Sequence, residues 1–193
     1  MFNWVNFITY VLITAITPGP NNIMSMTCGG QLGFKRAFPF NLGVWAGFSV
    51  VMLLCAAFCS ALSSFIPKIK PIMLVIGAAY MLWLAWKTWR SKPEIEENHA
   101  GRGFSSGLAL QFVNVKIYLY GILSMEAYIL PVYDGQLLIV AAFALFLATA
   151  GFLCTLLWSA FGSVFKVLFS KYAKITNAIM ALALVYCAVA LFL

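Results

Sequence analysis

The sequence is poor in charged residues, above all in acidic ones. Only 9% of its 193 residues are charged, with five Asp and Glu against twelve Lys and Arg. Soluble domains are usually about one quarter charged and about half apolar, whereas 64% of this chain is hydrophobic. A chain of this length cannot hide so much apolar surface from water by folding alone. The composition therefore predicts an integral membrane protein.

The residue patterns of most enzymes are also missing. No Gly-rich phosphate-binding loop is present, so ATP-driven transport by this chain alone is not expected. The single histidine, His99, lies in a polar segment, which leaves no Ser–His–Asp arrangement inside the apolar runs. The odd number of cysteines, five, favours free thiols over disulfides or a metal site. We expect no enzymatic activity, no cofactor and no metal.

What the sequence does contain is long apolar runs. Six can be read, each near or above the ~20 residues that a helix needs to cross a bilayer, and only 90–103 reads as a polar loop. The runs lie at about 4–28, 38–65, 69–89, 104–126, 136–162 and 173–192. Residues 1–193 are therefore predicted to form one all-α transmembrane domain with six transmembrane helices. Two halves of three helices would have opposite orientations, as in the inverted repeats of many secondary transporters.

The basic residues between the runs predict the orientation of the chain. Lys and Arg concentrate in cytoplasmic loops, and nine of them fall on one side of the predicted membrane, against Lys68 and Lys70 on the other. Both termini are therefore expected outside the cytoplasm. The same distribution favours the membrane surface as a partner over nucleic acid, because no separate basic domain exists. The nine residues are Lys35, Arg36, Lys87, Arg90, Lys92, Arg102, Lys166, Lys171 and Lys174.

The first apolar run is interrupted by Pro18, Gly19, Pro20, Asn21 and Asn22. The prolines remove backbone donors and obstruct the preceding turn. A bilayer tolerates the freed backbone groups only where they face protein or a polar cavity. The helix that restarts after such a break presents unpaired N–H groups, which can hold a carboxylate. A purely structural kink is the alternative, although two adjacent amides are costly in an apolar span without a use.

A second polar interruption, with Gln111, Asn114 and Lys116, lies at the matching place in the fourth run. Lys116 is the only basic residue placed well inside a run, and a buried ammonium needs a partner such as a substrate carboxylate. The alternative is a lysine that extends to the membrane interface. In a straight helix Asn114 and Lys116 would point about 200° apart. They can therefore face one ligand only if the helix is distorted there.

Tyr80 is a further candidate, in the third run, within a stretch whose small residues allow close helix packing. Its hydroxyl could reach a cavity. The alternative is packing with one satisfied hydrogen bond.

These segments together resemble the LysE/RhtB family of amino-acid exporters over nearly the whole chain. The resemblance is carried by ITPGPNN, GFKRAF, GAAYMLWLAWKTWR and LQFVNVKIYLYG. Further similarity, in LITAITPGPNN, VMLLCA, LQFVNVK and LVYCAV, is to the branch that exports cysteine and O-acetylserine. The resemblance implies a bacterial inner-membrane exporter of small amino acids, driven by the proton or electrochemical gradient. The family's first-helix motif falls on Pro18–Asn21. Its fourth-helix motif is usually Asn-Pro-Lys. Because Val115 replaces the proline, the sequence does not decide whether the helix breaks there.

We therefore predict a secondary exporter that works by alternating access around a site between the first and fourth helices. A passive pore and a non-transporting subunit of a larger complex are the alternatives. A homodimer would help so small a transporter to enclose a cavity, but the sequence shows no interface. The predicted substrate-binding residues are Pro18, Gly19, Pro20, Asn21, Asn22, Tyr80, Gln111, Asn114 and Lys116.

Overall fold

The structure is a computed structural model that describes residues 2–90, 103–165 and 172–190. Every regular element in these ranges is helical, which confirms the predicted all-α class for the described residues. Most of the predicted polar loop at 90–103 lies outside them. The helices are α1 (Trp4–Ile16), α2 (Pro20–Leu32), α3 (Phe34–Trp89), α4 (Phe104–Val113), α5 (Val115–Ser124), α6 (Leu130–Tyr133), α7 (Leu137–Val164) and α8 (Ala173–Ala190), with a π-helical turn at Met125–Ile129 between α5 and α6.

The surface of the helices is strongly apolar. Among the described residues, three segments are long and apolar enough to cross a membrane, namely Phe34–Cys59, Val115–Tyr133 and Leu137–Val164. Large apolar side chains point outward, and Leu138 is 86% exposed. So much exposed apolar surface suits lipid and not water. The chain is therefore a multi-pass membrane protein, and the number of six spans stays a prediction.

The first apolar run is divided between two helices. α1 ends at Ile16 and α2 begins at Pro20, the first residue of its opening turn. Proline is favoured at that position because its fixed φ suits a helix start and its missing N–H would have no partner there. α2 continues to Leu32, beyond the predicted end of the first run at about residue 28.

The fourth run is also divided, although it contains no proline at the break. α4 ends at Val113 and α5 begins at Val115, with extended backbone at Asn114 (φ −87°, ψ 92°). The side chain of Asn114 accepts a hydrogen bond from the backbone N–H of Lys116 at 3.2 Å. Asparagine is a strong helix N-cap because its oxygen satisfies a free donor of the first turn. Asn114 therefore starts a new helix, α5, at the position where the sequence did not decide between a continuous and a broken helix.

The second and third predicted runs lie in one long helical segment, α3. The backbone of Phe58 is non-helical (φ −126°, ψ 27°) and marks a kink inside it. Ala37 and Leu84 share one hydrophobic cluster, yet a straight helix would place them about 70 Å apart at 1.5 Å per residue. The chain therefore reverses direction within α3, and its two parts pack side by side.

The two divided runs cross antiparallel. Asn21, at the start of α2, contacts Asn114, at the start of α5. Tyr10, two turns before the first break, stacks on Tyr128, beyond the end of α5. Residues that precede one break thus lie beside residues that follow the other. The two breaks meet at a single place in the bundle.

Candidate functional site

The carbonyl groups freed at the end of α1 are satisfied by side chains from other parts of the chain. The Asn22 amide donates hydrogen bonds to the carbonyls of Ala15 at 2.8 Å and Thr17 at 2.9 Å. The indole N–H of Trp158, on α7, donates to the carbonyl of Ile16 at 3.2 Å. These bonds replace the helical bonds that the break between α1 and α2 removes, because lipid offers no donor of its own.

The start of α2 has donors without partners. Gly19 is extended (φ −172°, ψ 176°) and offers no side-chain cap, and its carbonyl accepts from the N–H of Ile23 at 2.9 Å. Within the described part of the chain, no acceptor pairs with the backbone N–H of Asn21 or Asn22. Two free N–H groups at the positive end of a helix dipole form a place where a carboxylate can bind.

The ammonium group of Lys116 lies directly over the first break. Its Nζ donates to the carbonyl of Thr17 at 3.1 Å, and a Cβ added to Gly19 would lie 3.2 Å from it. No carboxylate among residues 2–90, 103–165 and 172–190 pairs with this charge. Lys116 thus lies at the negative end of α1 and beside Gly19, which precedes α2. In a straight helix Asn114 and Lys116 would point apart. The break at Asn114 lets both side chains contact the first run.

Three buried amides hold the breaks together. The side chains of Asn21 and Gln111 exchange two hydrogen bonds, of 2.8 and 3.2 Å, and Asn114 donates to the Asn21 oxygen at 3.0 Å. Gln111 is fully buried, and it also donates to the carbonyl of Gly107 at 2.8 Å. A buried polar network that is satisfied in this way fixes a single arrangement of its helices.

A small cavity, of about 30 Å³, opens between the breaks. Its lining has a polar part, from both breaks, and an aromatic and apolar part. The lining residues are Thr14, Ala15, Gly19, Pro20, Asn21, Asn22, Phe48, Asn114, Lys116, Ile117, Tyr120, Gly151 and Thr155.

The structure brings most of the predicted site residues together. Gly19, Pro20, Asn21, Asn22, Asn114 and Lys116 line the cavity. Gln111 lies behind Asn21 and contacts it, and Pro18 lies in the break without lining the cavity. Tyr80 is not brought to this place, because its ring packs on Trp83 and its hydroxyl is 3.5 Å from the carbonyl of Ser106.

Several residues of the site were not expected from the sequence, namely Phe48, Tyr120, Gly151, Thr155 and Trp158. Of these residues, only Tyr120 could have been predicted from the sequence. It follows Lys116 by four residues and so shares its helix face.

Replacing Asn21 with leucine is expected to destabilise the protein by about 1–3 kcal/mol for each buried amide left without its partner. Gln111 and Asn114 both lose a bond in this variant. The thermal unfolding midpoint in detergent measures the effect, with Gln136→Leu on the exposed surface as control. The double variant Asn21→Leu/Gln111→Leu should regain part of the loss, since apolar replacement of both partners costs less. Equal midpoints for Asn21→Leu and wild type would contradict the network's role.

Comparison with known proteins finds one matching family and several similar proteins that share one name. The LysE type translocator family matches residues 12–193. The chain is 43% identical over 188 residues to the cysteine/O-acetylserine efflux protein of Salmonella typhimurium, covering 96% of this chain and 95% of the relative. The protein of that name in Klebsiella pneumoniae is 41% identical over 184 residues (95% and 93% covered), and the one in Escherichia coli K12 is 40% identical over 188 residues (96% and 95%). No solved structure shows a significant match.

Proposed function

We propose that this chain, which belongs to the LysE type translocator family, exports small amino acids across the bacterial inner membrane as a secondary active transporter. The family resemblance expected from the sequence is confirmed by the match over residues 12–193. Membership makes the chain a transporter and not an enzyme, as predicted. The relatives' names, cysteine/O-acetylserine efflux protein, support cysteine and O-acetylserine as the substrates to test first.

The observation that carries the proposal is the meeting of two broken helices around one cavity. An amino acid is a zwitterion, and the cavity offers a complement to each of its charges. The free N–H groups of Asn21 and Asn22 and the Lys116 ammonium would bind the carboxylate. The carbonyl of Thr17, at the negative end of α1, would accept from the substrate ammonium once Lys116 turns to the carboxylate. Asn114 would supply a further hydrogen bond.

The transport cycle is proposed to be alternating access. The two broken helices run antiparallel and contact each other at their breaks, through Asn21 and Asn114. Inverted repeats place two discontinuous helices in this relation, with the substrate site between them. Rocking of one three-helix half against the other would then expose the cavity to each side of the membrane in turn.

The energy source and the orientation are also part of the proposal. Export of a zwitterion moves no net charge, so accumulation outside requires coupling, for which an inward proton flow is the natural source. The distribution of basic residues supports an orientation with both termini in the periplasm. A homodimer stays a prediction from the size of the chain.

Uptake of radiolabelled cysteine and O-acetylserine into proteoliposomes tests the function, with pH and voltage gradients imposed separately. A secondary exporter should saturate with substrate and concentrate it when the correct gradient is applied. A passive pore would neither saturate nor accumulate label. A non-transporting subunit would give no uptake above empty vesicles, and either result would reject the proposal.

A further inference from the structure

We propose that the substrate reaches the cavity between α2 and α7, along a seam that opens toward the membrane face on which α2 ends. The seam is defined by Ser25 and Gly29 on α2 and by Thr155, Ser159 and Gly162 on α7. This inference rests on the proposed function. It deepens that function by naming the side chains that line the route from one face of the membrane.

The two helices of the seam lead away from the cavity in the same direction. Asn22 on α2 and Thr155 on α7 both line the cavity. Ser25 follows Asn22 by three residues and Ser159 follows Thr155 by four, so each serine lies on the same helix face one turn further on. Gly29, another turn along α2, contacts the backbone of Ser159. The seam therefore begins at the cavity and continues toward the end of α2.

The backbones of α2 and α7 close the seam in this structure. A Cβ built on Gly29 would overlap the carbonyl oxygen of Ser159, and one built on Gly162 would overlap that of Met26. Small residues let helices pack this closely. The cavity above the seam, at about 30 Å³, has room for about two water molecules. An amino acid can therefore reach the two breaks only after helices around the cavity move apart.

The two serine hydroxyls of the seam indicate where the helices separate. Ser25 and Ser159 are both fully buried, and neither hydroxyl oxygen has a hydrogen-bond partner within the described part of the chain. A buried polar group without a partner costs free energy, and such groups are rare in native proteins. In an open seam both hydroxyls could bond to water or to the substrate. The cost in the closed form thus favours opening at this place.

A third oxygen of this kind faces the same region from α3. Asn41 is fully buried, and its side-chain oxygen has no partner among the described residues. It precedes Phe48 by seven residues and so shares its helix face, and the Phe48 ring lies against Gly151 of α7. The backbone N–H of Phe34 donates to the Ser163 hydroxyl at 3.0 Å, so α3 runs antiparallel to α7. Asn41 therefore lies on the same side of the cavity as the seam.

Ser159→Ala tests the role of the hydroxyl. The closed form would lose an unsatisfied buried group, whereas the open form would lose a group that bonds to water or substrate. The equilibrium should therefore shift toward the closed form. The thermal unfolding midpoint in detergent should stay at or above that of wild type. Efflux of O-acetylserine from proteoliposomes should fall about 2- to 10-fold, the effect of losing one ordinary hydrogen bond.

Thr27→Val is the matched control for this variant. Thr27 is also fully buried on α2, but its hydroxyl donates to the carbonyl of Ile23 at 2.8 Å. It follows Ser25 by two residues and so points about 200° away from it around the helix. Its efflux should equal that of wild type. An equal loss of efflux in Thr27→Val and Ser159→Ala would contradict a specific role for the seam.

Labelling of cysteine variants detects the opening itself. During transport of O-acetylserine, which carries no thiol, Ser159→Cys should react with a membrane-impermeant maleimide, and the adduct should stop efflux. The reaction should occur from the side that labels Lys35→Cys, because Lys35 is exposed just beyond the end of α2. Thr27→Cys should remain unlabelled from both sides. Mass spectrometry locates the adduct and separates it from the five native cysteines, all of which are buried.

Two results would overturn the inference. One is a Ser159→Cys protein that transports O-acetylserine but is not labelled from the Lys35 side, and the other is wild-type efflux by Ser159→Ala. Ser25→Cys carries the labelling test if Ser159→Cys does not fold. Failure of the proposed function looks different, because wild-type vesicles would then transport neither cysteine nor O-acetylserine.

Discussion

Replacing Lys116 with methionine is expected to reduce amino-acid export about 10- to 100-fold, the effect of removing one hydrogen bond to a charged group. Methionine retains much of the length of the side chain and its packing over Gly19, but it loses the ammonium. The substrate carboxylate would then be held by the free N–H groups of α2 alone, and the carbonyl of Thr17 would lose one of its two side-chain donors. Efflux of labelled cysteine from proteoliposomes measures the result at equal protein content.

Two controls separate the charge of Lys116 from other effects. Lys35→Met removes an exposed cation at the start of α3 and should export like wild type. Lys116→Arg keeps the charge in a wider group, and it should retain more activity than the methionine variant. Wild-type efflux by Lys116→Met would show that the substrate carboxylate binds elsewhere.

Gly107→Ala should destabilise the protein by about 3 kcal/mol or more, at the upper end of the cost of overpacking. A Cβ at this position would lie 2.1 Å from the carbonyl oxygen of Phe40 and 2.9 Å from the backbone nitrogen of Val44. Both atoms belong to the backbone of α3, so no side chain can turn aside. α3 and α4 would have to separate, which would also move Gln111 away from Asn21.

The matched control is Gly103→Ala, four residues earlier. Among the described residues, a Cβ there meets no atom within 4 Å, and its backbone (φ −94°) suits any residue. Its thermal midpoint should equal that of wild type, whereas Gly107→Ala should unfold at a much lower temperature or fail to accumulate. Similar midpoints for the two variants would mean that α3 and α4 are not in backbone contact.

The first break could be predicted from the sequence because its cause is local. Pro18 and Pro20, with Gly19 between them, each remove a backbone donor and obstruct the preceding helical turn. The second break has no local cause of that strength, since Val115 can remain helical. There the extended backbone of Asn114 is accompanied by tertiary contact with Asn21. A contact across 93 residues cannot be read from the spacing of apolar residues.

The aromatic part of the cavity was missed for a related reason. Phe48 and Gly151 lie in uniformly apolar runs, where hydropathy does not distinguish a cavity wall from a lipid-facing residue. Their proximity depends on the crossing of α3 and α7. The position of Tyr80 away from the cavity could not be predicted for the same reason, because a tyrosine in an apolar run needs a partner but the sequence does not say which.

The hydrogen bonds at the first break also constrain how the protein assembles in the membrane. The carbonyls of Ile16 and Thr17 receive donors from Trp158 and Lys116, which lie 142 and 99 residues further along the chain. During synthesis the first segment enters the bilayer long before these donors exist. The final geometry of the break is therefore completed late, when the last parts of the bundle close around it. Truncated chains that end before α5 would lack both donors, which leaves the Ile16 carbonyl without its indole partner and the Thr17 carbonyl with Asn22 alone.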